Sequence, residues 1–373
     1  MSRLEHTLAS LVLRVLGFFF DFLPIRDRVV LATARLSYLE GNLAFIHAEM
    51  RRVRPSARIT LLLEPYSYGL VGKLTYLARL VRGTYLLRTS SLFVVDNAYL
   101  PVHVAPHRRG TTVVQVWHGV GALKRFGADT ATGLTEPERS FLHRFYDYVV
   151  CAGEAAREPY AAALRTPVDH VLPLGVARTD FFFDEAAMAA ARERVLSAYP
   201  RLREGRVILF APTFRGRGRD KHAGPGFDPV ALKAALPKDH ILALKTHPNL
   251  DVSKVSTAGF DVVLDPAIEI NDVFTATDVL VTDYSSSIYE WALLRRPLVI
   301  LTEDLAEYER DPGLYLDART DLVGELVADP AGLPAAIARA RVDPAAWAAF
   351  VERRIDACDG HASARFVERF LPV

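Results

Sequence analysis

The sequence predicts an α/β protein of two successive units, each a parallel sheet covered by helices on both faces. Three observations predict it. At 373 residues the chain is too long for one ordinary core. Continuous apolar β-runs alternate with helical stretches, as in strands buried on both sides. After a seam near Pro173 to Asp184 the alternation restarts.

In the first unit, residues Arg3 to Phe22 form a helix with a wide apolar face, Leu4, Leu8, Leu11, Val12, Val15, Leu16, Phe18, Phe19 and Phe22. Arg14 interrupts the run too early for a membrane span, and no small-residue cleavage site follows Phe22. An in-plane membrane anchor is expected, with a helix packed on its own domain as the other reading. Strands follow at Arg28–Thr33 and Arg58–Leu63, around a helix from Gly41 to about Arg52. A basic helix over Leu70–Arg82 leads to short strand candidates at Leu86–Leu87 and Leu92–Val95. Thr111–Trp117, Tyr148–Cys151 and Asp169–Leu172 complete the strands, with a helix over Glu154–Leu164.

In the second unit, strands are expected at Arg206–Phe210, His240–Lys245, Asp261–Leu264, Val279–Thr282 and Leu298–Leu301. Helices are expected at Pro229–Leu236, Glu269–Ala276 and from the serines to Leu294. Residues 217–226, polar and glycine-rich, read as a mobile loop. The last helices, near Pro344–Ile355 and Ala362–Phe370, are expected to pack across the seam.

The formal charge of +1 conceals an asymmetry. Residues 1–125 hold 17 Lys+Arg against 7 Asp+Glu, net +10, and the remainder is net −9. A basic first third suits an anionic partner, and the cluster Arg51, Arg52, Arg54, Arg58, Lys73, Arg79, Arg82 and Arg88 suits anionic lipid. Nucleic acid is not expected, since no stacking platform or module signature accompanies the cations. Cys151 and Cys358 form neither a disulfide framework nor a metal-type spacing, which fits a reducing compartment.

Gly-x-Gly-x-x-Gly, Walker, Asp-x-Asp, Cys/His-cluster and Gly-x-Ser-x-Gly patterns are all absent from the sequence. What remains sits after strand ends, the edge where open α/β sheets bind ligands. His118, between a strand and Gly119-Val120-Gly121, is placed to move a proton near neutral pH or to serve as a hydrogen-bonded structural histidine. Thr213 and Arg215, Lys245 and His247, and Asp283 with Ser285, Ser286 and Ser287 follow the strands of the second unit. The serines open a helix and make either an anion site or an ordinary N-cap. Glu290 suits a ribose hydroxyl pair or merely complements the helix N-terminus. Without a metal, a phosphate site relies on Arg, Lys, His and helix ends.

Gln115-x-Trp117-His118-Gly119 with Leu123-Lys124 and Gly127 is the first of five motifs. Gly175-x-x-Arg178-x-Asp180, Ala211-Pro212-Thr213-Phe214-Arg215, Lys245-x-His247-Pro248 and Thr282-Asp283-Tyr284-Ser285-Ser286 follow in order. Together they resemble the CDP-glycerol glycerophosphotransferase family, the teichoic-acid primases and polymerases. The resemblance implies a GT-B fold, two Rossmann-like domains facing each other across a cleft, here with the N-terminal amphipathic helix added. Domains are expected at 1–24 (anchor), 25–178 (acceptor side), 179–342 (nucleotide side) and 343–373 (C-terminal helices).

It also implies transfer of an alditol phosphate from CDP-glycerol or CDP-ribitol to a polyprenyl-diphosphate-linked acceptor at the cytoplasmic face of the membrane, releasing CMP, with no cofactor. His118 becomes the general base and His247 the group that helps the leaving phosphate. Arg215, Ser285 and Ser286 hold the diphosphate, while Arg178 and Asp180 lie near the interdomain site. Trp117, Gly119, Lys124, Thr213, Lys245, Asp283 and Glu290 complete the expected substrate-binding set. The length suits primase-like addition of few units. A GT-B glycosyltransferase using a UDP- or GDP-sugar and a non-catalytic membrane-associated binding protein are the alternatives.

Overall fold

The computed structural model describes residues 3–65, 69–130, 141–215, 222–223, 226–246 and 255–371. Two compact units emerge, Met1–Asp180 with Arg354–Val373, and Phe181–Arg353. The first contains α1 (Arg3–Phe20), β1 (Arg26–Thr33), α2 (Gly41–Val53), β2 (Ile59–Leu63), α3 (Gly69–Thr89), β3 (Ser90–Val95) and α4 (Leu100–Val104). It continues with β4 (Thr112–Gln115), β5 (Tyr148–Val150), α5 (Arg157–Leu164) and β6 (Val171–Leu172).

The second unit contains α6 (Glu185–Ala198), β7 (Arg206–Phe210), β8 (Phe214–Arg215), β9 (His222–Ala223), α7 (Pro229–Ala235), β10 (His240–Lys245) and β11 (Val262–Leu264). Then come α8 (Ile270–Thr275), β12 (Val279–Thr282), α9 (Ser287–Leu294), β13 (Leu298–Leu301), α10 (Leu305–Arg310), α11 (Ala318–Asp321), β14 (Glu325–Val327) and α12 (Leu333–Arg339). After α13 (Pro344–Ile355), α14 (Ala362–Phe370) returns to the first unit and packs on α2.

Each unit is built on a six-stranded parallel sheet, ordered β2-β1-β3-β4-β5-β6 and β11-β10-β7-β12-β13-β14. Both are doubly wound. The chain reverses its direction of growth between β1 and β3 in the first sheet and between β7 and β12 in the second, which makes the carboxyl ends of those strands the expected ligand sites. Burial explains the pattern: Val29, Val30, Leu31 and Ala32 are consecutive and all buried. Val30, Ala32, Phe93 and Val95 enter the core on one face, and Val29, Leu31, Leu92 and Val94 that on the other, because successive strand side chains alternate.

Helix α1 docks by a narrow side. Leu13 packs with Leu80, Leu100 and Val104, Arg14 Nε donates to the Val104 carbonyl at 2.9 Å, and Arg88 closes on Asp21 at 3.3 Å. The wide face, with Leu8, Leu11, Val12, Val15, Phe18, Phe19 and Phe22, stays exposed. Among the described residues no helix is long and apolar enough to cross a membrane.

Three sequence expectations change. Leu86–Leu87 belong to α3, which runs on to Thr89, because both leucines fill the core beneath the helix and a two-residue apolar run cannot set a strand against helix-forming neighbours. Within the expected loop 217–226, His222–Ala223 pair antiparallel with Phe214–Arg215; residues 217–221 and 224–225 lie outside the described residues. The basic cluster is largely compensated: Arg52 pairs with Glu49, Arg54 with Asp27, Arg82 with Glu64 and Arg88 with Asp21, while Arg51 and Arg79 donate to main-chain carbonyls. Arg58 is exposed, and the Lys73 side chain lies outside the described residues.

Candidate active site

Two groups of polar residues form, one at each predicted strand edge. In the first unit, β4 stops at Gln115 because Trp117 adopts φ 49°, a left-handed conformation unfavourable for a large side chain. The neighbours hold it there. The Trp117 N–H donates to Gln115 Oε1 at 2.8 Å, its carbonyl accepts from Asn42 Nδ2 at 2.9 Å, and its ring stacks on Phe126 at 5.0 Å. Behind it, Gln115 Nε2 donates to the Tyr146 hydroxyl (3.0 Å), which also lies 3.3 Å from His143 Nδ1. Gly127, at φ 56°, admits no side chain, since a Cβ would collide with the Ala163 carbonyl. Tyr160 ties down the turn by donating toward the carbonyls of Gly119 and Gly121.

His118 therefore projects from a rigid turn. Its Nδ1 is sealed from solvent without a hydrogen-bond partner among the described residues, and its ring lies 4.3 Å from that of Trp117. Desolvation pushes its pKa down to about 3, helped by the charges of Arg35, Arg178 and Lys124 and opposed by the Asp96 main chain. The imidazole is neutral throughout the physiological range. Arg178 reaches across to donate from Nη1 to the His118 carbonyl at 2.7 Å, and its own N–H donates to Asn42 Oδ1 at 3.1 Å. Asn42, at the start of α2, thus joins two strand-end segments with one side chain.

Sequence reasoning missed Asn42, Arg35 and Asp96. The last two follow the ends of β1 and β3, on either side of the reversal point. Burial pushes the Asp96 carboxyl up, while a hydrogen bond from Thr33 and the charges of Arg35 and Arg178 act against it. Their signal was available in the strand order, since residues just past the ends of adjacent central strands must meet there. Asp180 is placed differently from Arg178: its two oxygens accept the N–H groups of Ala362 (2.9 Å) and Ser363 (2.8 Å), which caps α14.

In the second unit, Asp283 joins the ends of β7 and β12. Its oxygens accept the Thr213 N–H (2.8 Å), the Thr213 hydroxyl (2.7 Å) and Arg215 Nη1 (2.8 Å). Arg215 also forks onto Asp304 through Nε at 2.8 Å and Nη2 at 3.3 Å, and lies 4.5 Å over the Tyr308 ring. The guanidinium is held by two carboxylates rather than left open. Ser285 Oγ lies 2.7 Å from Ser287 Oγ and accepts the Ser287 N–H, while the Ser286 side chain does not cap α9. Glu290 is buried and accepts from Asn271 Nδ2 at 3.2 Å; Asn271 Oδ1 beside it has no partner among the described residues. Lys245 is buried and donates to the Pro266 carbonyl at 2.8 Å. His247 lies outside the described residues.

The family model of CDP-glycerol:poly(glycerophosphate) glycerophosphotransferases matches residues 18–371. The chain belongs to this family. It is 32% identical over 363 residues, 94% of this chain and 93% of the relative, to the teichoic acid ribitol-phosphate primase of Bacillus spizizenii. The teichoic acid glycerol-phosphate primase of Bacillus subtilis is 29% identical over 246 residues, 63% of this chain and 61% of its own length. A structure of the wall teichoic acid polymerase TagF superimposes with a TM-score of 0.72 at 20% identity, covering 99% of this chain and 96% of that one. The fold of this glycerophosphotransferase-family member is accordingly of the GT-B class, and the family assigns it to the alditol-phosphate transferases.

Proposed function

We propose that this chain transfers an alditol phosphate from a CDP-alditol to a hydroxyl of a polyprenyl-diphosphate-linked acceptor, releasing CMP, in the synthesis of teichoic acid or a related cell-wall polymer. The observation that carries this reading is His118, a neutral imidazole fixed on a braced turn and surrounded by Arg35, Lys124 and Arg178. In the reaction the acceptor oxygen attacks the phosphorus that bears the alditol. The new P–O bond forms as the bond to the CMP oxygen breaks, and His118 takes the hydroxyl proton. The three cations offset phosphate charge. An arriving anion also offsets the cationic share of the depression, which is secondary to burial, and so raises the proton affinity of the imidazole as the substrate binds.

The second unit takes the nucleotide. Asp283, Thr213 and Arg215 fix the turn that presents the Ser285–Ser286 main chain and hydroxyls to the diphosphate, and His247, by the motif it belongs to, is assigned to assist the leaving phosphate. Asn271 and Glu290 suit the ribose hydroxyls, since the unpartnered Asn271 Oδ1 adds an acceptor. The exposed apolar face of α1 seats the first unit in the plane of the membrane, where a polyprenyl acceptor is met. Ribitol is favoured as the alditol by the longer and closer match to the ribitol-phosphate primase, which also favours primer-type addition of few units.

The donor assignment is tested by incubating the protein and acceptor with CDP-ribitol, CDP-glycerol or UDP-glucose. Product from CDP-ribitol in excess over CDP-glycerol supports the reading; product from UDP-glucose alone replaces it with glycosyl transfer.

A further inference from the structure

The first unit has a polar cavity away from His118. It measures about 380 Å³ and is lined by His107, Arg108, Arg109, Thr112, Tyr148 and His170 among others. These residues precede β4, start β4 and β5, or precede β6, so the cavity opens at the amino-terminal edge of the sheet. On the order of 10 Å of strand separates it from the carboxyl ends where His118 lies.

Its chemistry is that of an anion site. Arg109 is exposed and has no partner among the described residues, while Arg108 makes one hydrogen bond among them, Nη1 to the Leu23 carbonyl at 2.6 Å. A third guanidinium, that of Arg369, lies 5.1 Å over the Tyr148 ring, and His170 stacks on that ring at 5.5 Å. The one carboxylate in the lining, Asp147, is already occupied by His107 Nε2 at 2.8 Å and the Val113 N–H at 2.7 Å. His107 Nδ1 is buried without a partner among the described residues. The volume lies at the small end of ligand sites and suits a phosphate ester with a short polar head.

The rim says which phosphate ester. Arg108 is bonded to Leu23, Ile25 lies directly under Gly110, and Phe22 and Leu23, the exit of α1, are exposed by 75% and 41%. The lining cations thus sit beside apolar side chains that are partly or largely exposed, whereas the cations nearer α2 and α3 are paired internally. We infer that this cavity binds the phosphate headgroup of an anionic glycerophospholipid, whose acyl chains continue over the apolar exit of α1. The inference rests on the membrane placement of α1 and specifies what that placement recognises.

The test measures binding of the full chain to vesicles of phosphatidylglycerol in phosphatidylcholine and to phosphatidylcholine alone. It compares wild type with Arg109→Gln, Arg108→Gln/Arg109→Gln and Phe18→Ser/Phe22→Ser. Wild type is expected to prefer the anionic vesicles. Arg109→Gln is expected to lower that affinity about 5-fold and the double arginine variant roughly 30-fold, with binding to neutral vesicles unchanged. Phe18→Ser/Phe22→Ser is expected to weaken both. A wild type that binds neither vesicle overturns the membrane placement and the inference together; a preference retained by both arginine variants overturns the inference alone. Glycerol 1-phosphate is titrated in parallel, followed by the His170 imidazole resonances. A shift with no arginine effect on vesicles identifies a site for free phosphate esters and also overturns the lipid assignment.

Discussion

Replacing Asn42 by Ala should cost more than any other single truncation around the His118 turn. Asn42 is 4% exposed and makes three hydrogen bonds: Nδ2 to the carbonyls of Val116 (3.3 Å) and Trp117 (2.9 Å), and Oδ1 from the Arg178 N–H (3.1 Å). Its orientation is fixed, because two carbonyls demand a donor and one N–H demands an acceptor. Each bond contributes about 1 kcal/mol net, and each buried main-chain group left unpaired adds a comparable penalty. With partial relaxation, the loss is about 3 kcal/mol. Much of it falls on Trp117, whose φ of 49° itself costs about 1–3 kcal/mol and depends on those neighbours. Turnover should fall roughly 10–100-fold as the turn relaxes. Urea unfolding followed by Trp fluorescence reads the stability, and initial-rate transfer reads the turnover. Asn42→Asp, which keeps the acceptor for Arg178 and loses both donors, should also fail. An Asn42→Ala protein within about 0.5 kcal/mol of wild type and with unchanged turnover would refute the claim that this side chain braces the site.

Other outcomes follow from the same geometry. Arg215→Ala strands the buried Asp283 carboxylate and is expected to destabilise the protein by about 3–5 kcal/mol in urea unfolding, whereas loss of a phosphate ligand alone would raise the KM for donor without that change. His118 and His143 are held neutral, with pKa values of about 3 and about 4. The unfolded chain takes up their protons from about pH 6.5 downward while the folded one does not, so stability is full above that pH and falls as pH drops toward 4. His143→Asn should flatten this slope in thermal melts at pH 4.5–7. For the same reason kcat/KM should show no acidic limb from His118 between pH 5 and 8; a limb near 6.5 removed by His118→Asn would show that its proton affinity is not depressed. Phe18→Ser/Phe22→Ser should keep soluble-acceptor turnover within 2-fold of wild type, roughly, because Leu13 rather than the phenylalanines docks α1; a larger loss would make the face structural.

The periodic features of the fold were legible in the sequence and the pairwise ones were not. Runs such as Arg206–Phe210 and Val279–Thr282 announce strands buried on both faces, and their polar successors announce a ligand edge. Leu86–Leu87 misled because two leucines carry no period. His118 was visible through the Gly-rich turn after it, yet its neutrality depends first on burial and then on Arg35 and Arg178, 83 and 60 positions away, which the fold brings together. Asn42 gave no signal, since an Asn at a helix start reads as an ordinary capping residue. Arg215 was visible as a cation, but Asp304, which binds its Nε and Nη2, lies 89 residues on. Asp180 sits in the same motif as Arg178, and sequence spacing cannot show that its carboxylate turns to α14.

The measurement that tests the central claim most directly is acceptor-dependent CMP release from CDP-ribitol or CDP-glycerol, with wild type beside His118→Ala. The account predicts release by wild type and a loss of at least about 10²–10⁴-fold in the variant. Acceptor-dependent release at the wild-type rate from His118→Ala would contradict it.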